Sequence, residues 1–200
     1  MSIKRIVTQI PFTLAAFVLM TVCGGTAGAQ VGHSHPAATQ SEQANAGQNS
    51  REATLLQVVR EATERYRDVA AAEADGYVLT FGCVQGPDAG AMGMHFVNFP
   101  LVESGVLDAR KPQIVIYEPT REGKLKLIGA DFLVIASQWD AAHPGNPPQL
   151  MGQLFHYFES PNRFGLPAFY TLHVWAWKEN PNGAFVNWHP NVSCQSFTGQ

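Results

Sequence analysis

The run "KLKLIGADFLVIAS", residues 124–137, constrains the fold of this chain more than any other stretch. As a strand over 124–136 it has an apolar face on each side, because successive side chains alternate. One face carries Leu127, Leu133 and Ile135, and the other carries Ile128, Ala130, Phe132 and Val134. A strand that is apolar on both sides is covered on both sides, so this one should lie inside a sheet. Asp131 lies in its middle, and a buried carboxylate needs a fixed partner or a cation.

The chain after Gly76 has the composition of strands and turns. Short runs rich in Val, Ile, Phe, Tyr and Trp are separated by Gly, Pro, Asn and Asp. They predict six strands, at 77–83, 94–99, 113–118, 124–136, 152–158 and 169–178. The loop 140–148, "DAAHPGNPP", is too rich in Pro and Gly for regular structure. No second long helical pattern separates the strands, so we expect a mostly antiparallel, strongly curved or barrel-like sheet.

One amphipathic helix precedes the predicted sheet, over residues 51–75. Its apolar side chains have helical spacing, at Leu55, Val59, Ala62, Tyr66 and Val69. Gly76 is the expected C-terminal stop. A helix packed on one face of an antiparallel sheet defines an α+β fold.

Residues 1–29 have the pattern of a secretory signal peptide. Lys4 and Arg5 precede an apolar run, and the small residues at 27–29 predict cleavage after Ala29. Residues 30–50 are mostly Ala, Gln, Ser, Gly and Asn, a composition typical of a flexible tether. The single globular domain is then 51–200, and we expect it in the periplasm or outside the cell.

The predicted mature chain is mildly acidic and contains two cysteines. Removing Lys4 and Arg5 from the 13 basic residues leaves 11 against 16 acidic ones, a formal charge of −5. Without a basic cluster we expect no nucleic-acid partner. After residue 29 no run approaches the roughly 20 apolar residues that span a bilayer. Because Cys23 leaves with the signal peptide, Cys83 and Cys194 are expected to form a disulfide.

Ionisable side chains lie inside three of the predicted strands. Alternation places His173 on one face with Trp175 and Trp177, while His95 and Asp131 lie in two other apolar strands. Two imidazoles and one carboxylate that converge on a cavity could hold a divalent transition metal, or act as a histidine–aspartate general base. These five residues form the predicted ligand pocket, with His95, Asp131 and His173 as the metal ligands. Alternatively, each is a buried polar side chain with a backbone or tyrosine partner.

The sequence "MGMH", residues 92–95, also suggests a copper(I) site. Thioether and imidazole ligands suit that ion. In a regular strand, however, Met92 and Met94 face away from His95. Only an irregular backbone at Gly93 brings all three side chains together.

Four other histidines are weaker candidates. His156 and His189 are typical of surface or hydrogen-bonded side chains, although either could complete a site. His33 and His35, in "GHSH", fit an amino-terminal copper or nickel site only if cleavage falls one residue later than predicted.

The familiar motifs of phosphate binding and hydrolysis are absent from the sequence, which has no Walker loop, dinucleotide fingerprint, H-E-x-x-H or G-x-S-x-G. Instead, "GAMGMHFVN", "GVLDARKPQIVIYEP", "LKLIGADF" and "LHVWAWKENPNGAF" followed by "SC" resemble a group of uncharacterised exported bacterial proteins. The likeness covers about residues 55–194. It implies export from a bacterium and a shared domain, and it carries over no residue roles.

The sequence therefore favours an exported binding protein that holds a metal ion or a small apolar ligand. Aromatic walls with a few polar groups are typical of small-ligand sites. A secreted histidine-dependent enzyme, with or without a metal, is an alternative that uses the same residues. A structural or interaction module, in which the tryptophans are core, is the third.

Overall fold

The computed structural model describes residues 40–199, which form an α+β fold as predicted. The strands of the main sheet are β1 Val78–Gln85, β2 Ala91–Val97, β3 Ile114–Pro119, β4 Leu125–Ile135, β7 His156–Phe158 and β8 Phe169–Val174. They lie in the order β1-β2-β3-β4-β8-β7, and every neighbouring pair is antiparallel. The sheet curls strongly into a half-barrel. A separate two-stranded sheet pairs β5 Gln149–Leu150 with β6 Gln153–Leu154.

The helices are α1 Gln40–Thr63, α2 Val69–Ala74, α3 Phe99–Ser104 and α4 Ala136–Ala142, with a 3-10 turn at Glu64–Arg67. In the described residues no helix is long and apolar enough to cross a membrane. The short helix α3 begins where Asn98 accepts a hydrogen bond from the Leu101 N–H, and it ends at Gly105 in the left-handed conformation. Strand patterning missed α3, and α4 replaces part of the loop predicted at 140–148.

Helix α1 differs from the predicted helix at both ends. It begins at Gln40, so residues 40–50 of the predicted tether are helical, while the rest of that tether and the predicted signal peptide lie outside the described residues. Ala, Gln and Glu favour helix even where no apolar face forms. The helix stops at Thr63 and continues as the 3-10 turn, where the Tyr117 hydroxyl donates to the carbonyl of Tyr66, 2.6 Å away, before α2 begins.

The helices cover one face of the sheet, here called the helix face, which is formed by Ala130, Phe132, Leu172 and Val174. Leu55 and Val59 of α1 pack on these residues and are fully buried. The opposite face, here called the cavity face, carries Asp131, Leu133, Thr171 and His173. The central strand β4 is thus covered on both sides, as its sequence predicts.

A β-bulge in β4 places Leu127 and Ile128 on the faces opposite to those predicted. Opposite β3, the register skips one residue, because Ile116 pairs with Gly129 and Tyr117 with Leu127. Ile128 therefore packs in the cluster of Leu133, while Leu127 packs on the side of Tyr117. At Gly129 a Cβ atom would lie 2.6 Å from the Val174 carbonyl oxygen, so the bulge requires glycine.

The C-terminal segment 175–199 crosses the sheet without regular secondary structure and is fixed to it at several points. The predicted disulfide between Cys83 of β1 and Cys194 is present, closing a loop with a sequence separation of 111. His189 and Ala91 exchange two backbone hydrogen bonds of 3.1 and 3.2 Å. At Gly90 a Cβ atom would lie 2.2 Å from the His189 carbonyl oxygen, which explains glycine at this close approach.

Candidate metal centre

Three strands bring His95, Asp131 and His173 to the cavity face. The β4–β8 register pairs Asp131 directly with His173. His95 reaches the same cavity from β2, which is separated from β4 by β3. One donor atom from each of the three residues lies within 4.8 Å of the others, and all three side chains are buried. The structure thus brings together three of the five predicted pocket residues.

The two imidazoles face each other through their Nε2 atoms, which are 3.5 Å apart. His95 Nδ1 lies 3.1 Å from the carbonyl oxygen of Gly93. Since a carbonyl only accepts, Nδ1 carries the proton and Nε2 presents a lone pair to His173. Orientation of an imidazole by a backbone carbonyl is typical of metal-binding histidines.

His173 is the least satisfied polar group of the cluster. Its Nδ1 is 3.7 Å from Asp131 Oδ1, which is too long for a hydrogen bond. The amide of Asn187 lies close enough to raise the pKa of His173, but its Oδ1 and His173 Nδ1 both lack a hydrogen bond of normal geometry in the described part of the chain. If Nδ1 holds a proton for Asp131, Nε2 presents a lone pair to the lone pair of His95. Two facing lone pairs repel each other, and a cation between them would bind both.

Burial sets the charge of all three groups. Removal from water lowers the pKa of His95 to about 4 and that of His173 to about 3. Both imidazoles are therefore neutral near pH 7, the state that a metal ion requires. Burial also raises the pKa of Asp131 to about 6, against the opposing hydrogen bond of 2.5 Å that its Oδ1 accepts from Thr171. Near pH 7 the cluster holds one negative charge.

The walls of the cavity are otherwise apolar. They comprise Phe81, Met92, Ile114, Leu133, Phe158, Phe164, Leu166 and Phe169, together with Thr171 and the three ionisable residues. The free space is about 20 Å³ for the centre of a water-sized sphere. One water molecule needs about 10–15 Å³ on this measure, so the space beside the three ionisable side chains holds an ion with a water.

The two predicted tryptophans lie outside this cavity lining. Strand β8 ends at Val174, so the alternation that grouped Trp177 with His173 does not continue. Trp177 lies on the helix side, where its indole N–H donates to Thr63 over 2.9 Å. Trp175 stays beside His173, with ring centroids 5.9 Å apart, but its N–H is taken by the Val186 carbonyl.

Two of the weaker candidates, His156 and His189, do not join the cluster, while His33 and His35 lie outside the described residues. His189 is buried with both nitrogens hydrogen-bonded, to the Glu179 carbonyl and to the Asn191 N–H. His156 is exposed, and its Nε2 bonds to the Phe185 carbonyl.

Met92 and Thr171 line the cavity, although strand patterning did not select them. Thr171 could have been found, because it lies two residues before His173 and so shares its face. Met92 could not, since alternation placed it opposite His95. The only sequence signal for Met92 was the glycine between it and Met94.

The fold and the cluster together define an α+β protein with a buried candidate metal centre on three strands of a half-barrel. Comparisons with protein-family models, curated proteins and solved structures find no match to this chain. Function must therefore be argued from the cluster itself.

Proposed function

We propose that this is an exported bacterial protein that binds one transition-metal ion through the Nε2 atoms of His95 and His173, next to Asp131. The observation that carries the proposal is the pair of neutral, buried imidazoles with Nε2 atoms 3.5 Å apart. Two metal–nitrogen bonds of about 2.05 Å to atoms at this spacing meet at about 117°, close to a tetrahedral or trigonal angle.

The role of Asp131 follows from the same distances. Two donors on one ion are at most about 4.2 Å apart when each bond is about 2.1 Å, whereas the donor set here spreads to 4.8 Å. Asp131 is already engaged with Thr171 and faces His173 Nδ1. It therefore acts best as the carboxylate that lies beside His173 and balances the charge of the ion.

The small free volume favours an ion over the small apolar ligand that the sequence also allowed. It also weakens the enzyme alternative, because the free space beside the histidines is only about 20 Å³. Export is supported by the signal-peptide pattern of residues 1–29 and by the disulfide, which is typical of oxidising compartments.

The test is elemental analysis of the purified protein after reconstitution with copper, zinc, iron or manganese and removal of loosely bound ions. We expect one ion per chain in the wild type and none in His95→Leu or His173→Leu. His143→Ala is the control, because His143 is exposed and stacks on Trp139. Substoichiometric metal in the wild type, or equal metal in the His95 and His173 variants, would overturn the proposal.

A further inference from the structure

A β-bulge turns Met92 into the cavity beside His95. The β1–β2 register pairs Val84 with Gly93 and then Gln85 with Ala91, so Met92 has no partner in β1. Gly93 has φ +96°, and a Cβ atom there would lie 2.7 Å from the Tyr117 carbonyl oxygen. Only glycine fits this backbone. Bulges of this kind re-aim side chains and are common next to functional sites.

Met94 shows what the bulge does. It lies two residues after Met92 in the same strand, yet it packs on the helix side with Phe96 and Tyr117. Met92 lines the cavity instead, where its side chain is 2% exposed. Methionine often only fills gaps between aromatic rings. Here the thioether shares a cavity with two buried imidazoles whose Nε2 atoms are 3.5 Å apart, and this allows it a second role as a metal ligand.

We propose that the ion is copper(I), held by the imidazoles of His95 and His173 and by the thioether of Met92. This inference rests on the proposed metal-binding function and names the ion and its third ligand. Asp131 lies beside His173 and balances the charge of the ion.

The softness of the donors supports copper(I). Thioether sulfur is a poor ligand for hard ions and selects copper(I), and imidazole suits copper as well. Octahedral ions need neighbouring donors about 2.9 Å apart when the bonds are about 2.05 Å, which is well below the 3.5 Å between the two Nε2 atoms. The spacing of the two Nε2 atoms fits two of the three ligands of a trigonal copper(I) ion, and Met92 lines the same cavity.

Charge supports the same ion. Among the described residues the cavity lining has one carboxylate and no other charged side chain, and its remaining walls are mostly apolar and aromatic. A monovalent ion makes the buried site neutral, whereas a divalent ion leaves one positive charge buried. Burial of an unbalanced charge is costly.

The experiment compares Met92→Leu with its matched control Met94→Leu in a chain that carries His33→Ala and His35→Ala, so that the N-terminal histidines bind no copper. Copper(I) affinity is measured anaerobically by competition with a chromogenic copper(I) chelator, and zinc affinity is measured with a zinc indicator. We expect Met92→Leu to weaken copper(I) binding about tenfold or more and to leave zinc binding within about twofold. Met94→Leu should change neither. X-ray absorption of the copper(I) form should show one sulfur scatterer, which Met92→Leu removes.

The outcomes separate this inference from the proposed function. If the protein binds zinc through His95 and His173 but copper(I) no more tightly, the copper inference fails and the metal site stands. Equal copper(I) affinity in the two methionine variants, or no sulfur in the wild-type absorption spectrum, also overturns it. The spectrum of the wild type decides the question even if Met92→Leu folds poorly.

Discussion

His189 and the pair formed by His95 and His173 are buried to nearly the same degree, with exposures of 0%, 4% and 3%. His189 donates from Nε2 to the Glu179 carbonyl at 3.0 Å and accepts the Asn191 N–H on Nδ1 at 3.1 Å. The other two leave Nε2 atoms facing each other and one Nδ1 without a partner in the described chain. Burial alone therefore does not identify a site. A buried polar group with unused hydrogen-bonding capacity does, because folding incurs a penalty there that a ligand can offset.

The largest expected effect concerns the segment that carries His189, which the disulfide fixes to β1. Replacing both cysteines, as Cys83→Ala with Cys194→Ala, should lower the free energy of unfolding by about 5 kcal/mol, because a loop of 111 residues is no longer closed in the unfolded chain. Guanidinium unfolding of the metal-free protein measures this. A loss below about 1 kcal/mol would show that the segment does not depend on the bond.

The next effect compares the same substitution at His189 and at His173, one in each of the two regions. His189→Leu should lower the free energy of unfolding by about 2 kcal/mol, because it removes two part-buried hydrogen bonds that the buried imidazole makes to Glu179 and Asn191. His173→Leu should change the metal-free protein by less than about 1 kcal/mol in either direction, because it removes an unsatisfied group and keeps an apolar side chain of similar size.

The effect of the two substitutions on metal binding should be the reverse of their effect on stability. His189→Leu retains one ion per chain at temperatures where it is folded, and His173→Leu retains none. If His173→Leu is the more destabilising of the two variants, the cluster is a structural one and the comparison is wrong.

A third effect is the pH dependence of the metal-free protein. The histidines of the unfolded chain titrate near 6.5 and its aspartate near 3.8, whereas in the folded state the pKa of His95 is about 4, that of His173 about 3 and that of Asp131 about 6. Between about pH 4 and pH 6 the unfolded chain holds two protons on the histidines, and the folded chain holds one on Asp131. The three groups should therefore reduce stability by about 1.4 kcal/mol for each pH unit of acidification.

Asp131→Asn removes the proton uptake by Asp131, which opposes the proton release by the two histidines on folding. Without the aspartate, the folded state no longer takes up a proton in this window, so the difference rises from one proton to two. The slope should steepen by about 1.4 kcal/mol per pH unit relative to the wild type. Urea unfolding at several pH values between 4.5 and 6, with a chelator present, gives both slopes. An unchanged or shallower slope in Asp131→Asn would show that Asp131 does not gain a proton on folding.

Sequence patterning predicted the α+β class, the antiparallel sheet and the disulfide, because these depend on long runs of apolar residues and on a simple cysteine count. It failed where the backbone leaves regular alternation. The bulges at Gly93 and Gly129 move Met92 and Ile128 to the cavity face, and the end of β8 at Val174 sends Trp177 to the helix face. Each error arises because the period-two alternation of strand side chains was continued across a bulge or past the end of a strand.

The convergence of His95, Asp131 and His173 could be suggested from the sequence, but strand patterning cannot establish it. Period-two alternation places a side chain on a face, but the order of the strands decides which faces meet. Here β3 lies between β2 and β4, and only the curl of the sheet brings His95 to His173. Two glycines inside strand patterns were the available signal for the breaks, since glycine in a strand interior often marks a bulge.

The smallest expected effect concerns the polar cluster around Glu118, which lies on the His189 side of the comparison. Glu118 accepts Lys178 Nζ at 2.6 Å on Oε2 and the Ser193 N–H at 3.1 Å on Oε1, so both of its oxygens are hydrogen-bonded. Glu118→Gln keeps one acceptor oxygen, replaces the other by an amide N–H that cannot accept, and removes one charge from a partly exposed ion pair. The free energy of unfolding should fall by about 1 kcal/mol at neutral pH, and by less in high salt. Metal content should stay at one ion per chain, because each Glu118 oxygen already has a hydrogen-bond donor and the proposed ligands lie elsewhere. Loss of metal in Glu118→Gln would mean that the two regions are coupled, and the contrast between a satisfied and an unsatisfied cluster would no longer explain where the ion binds.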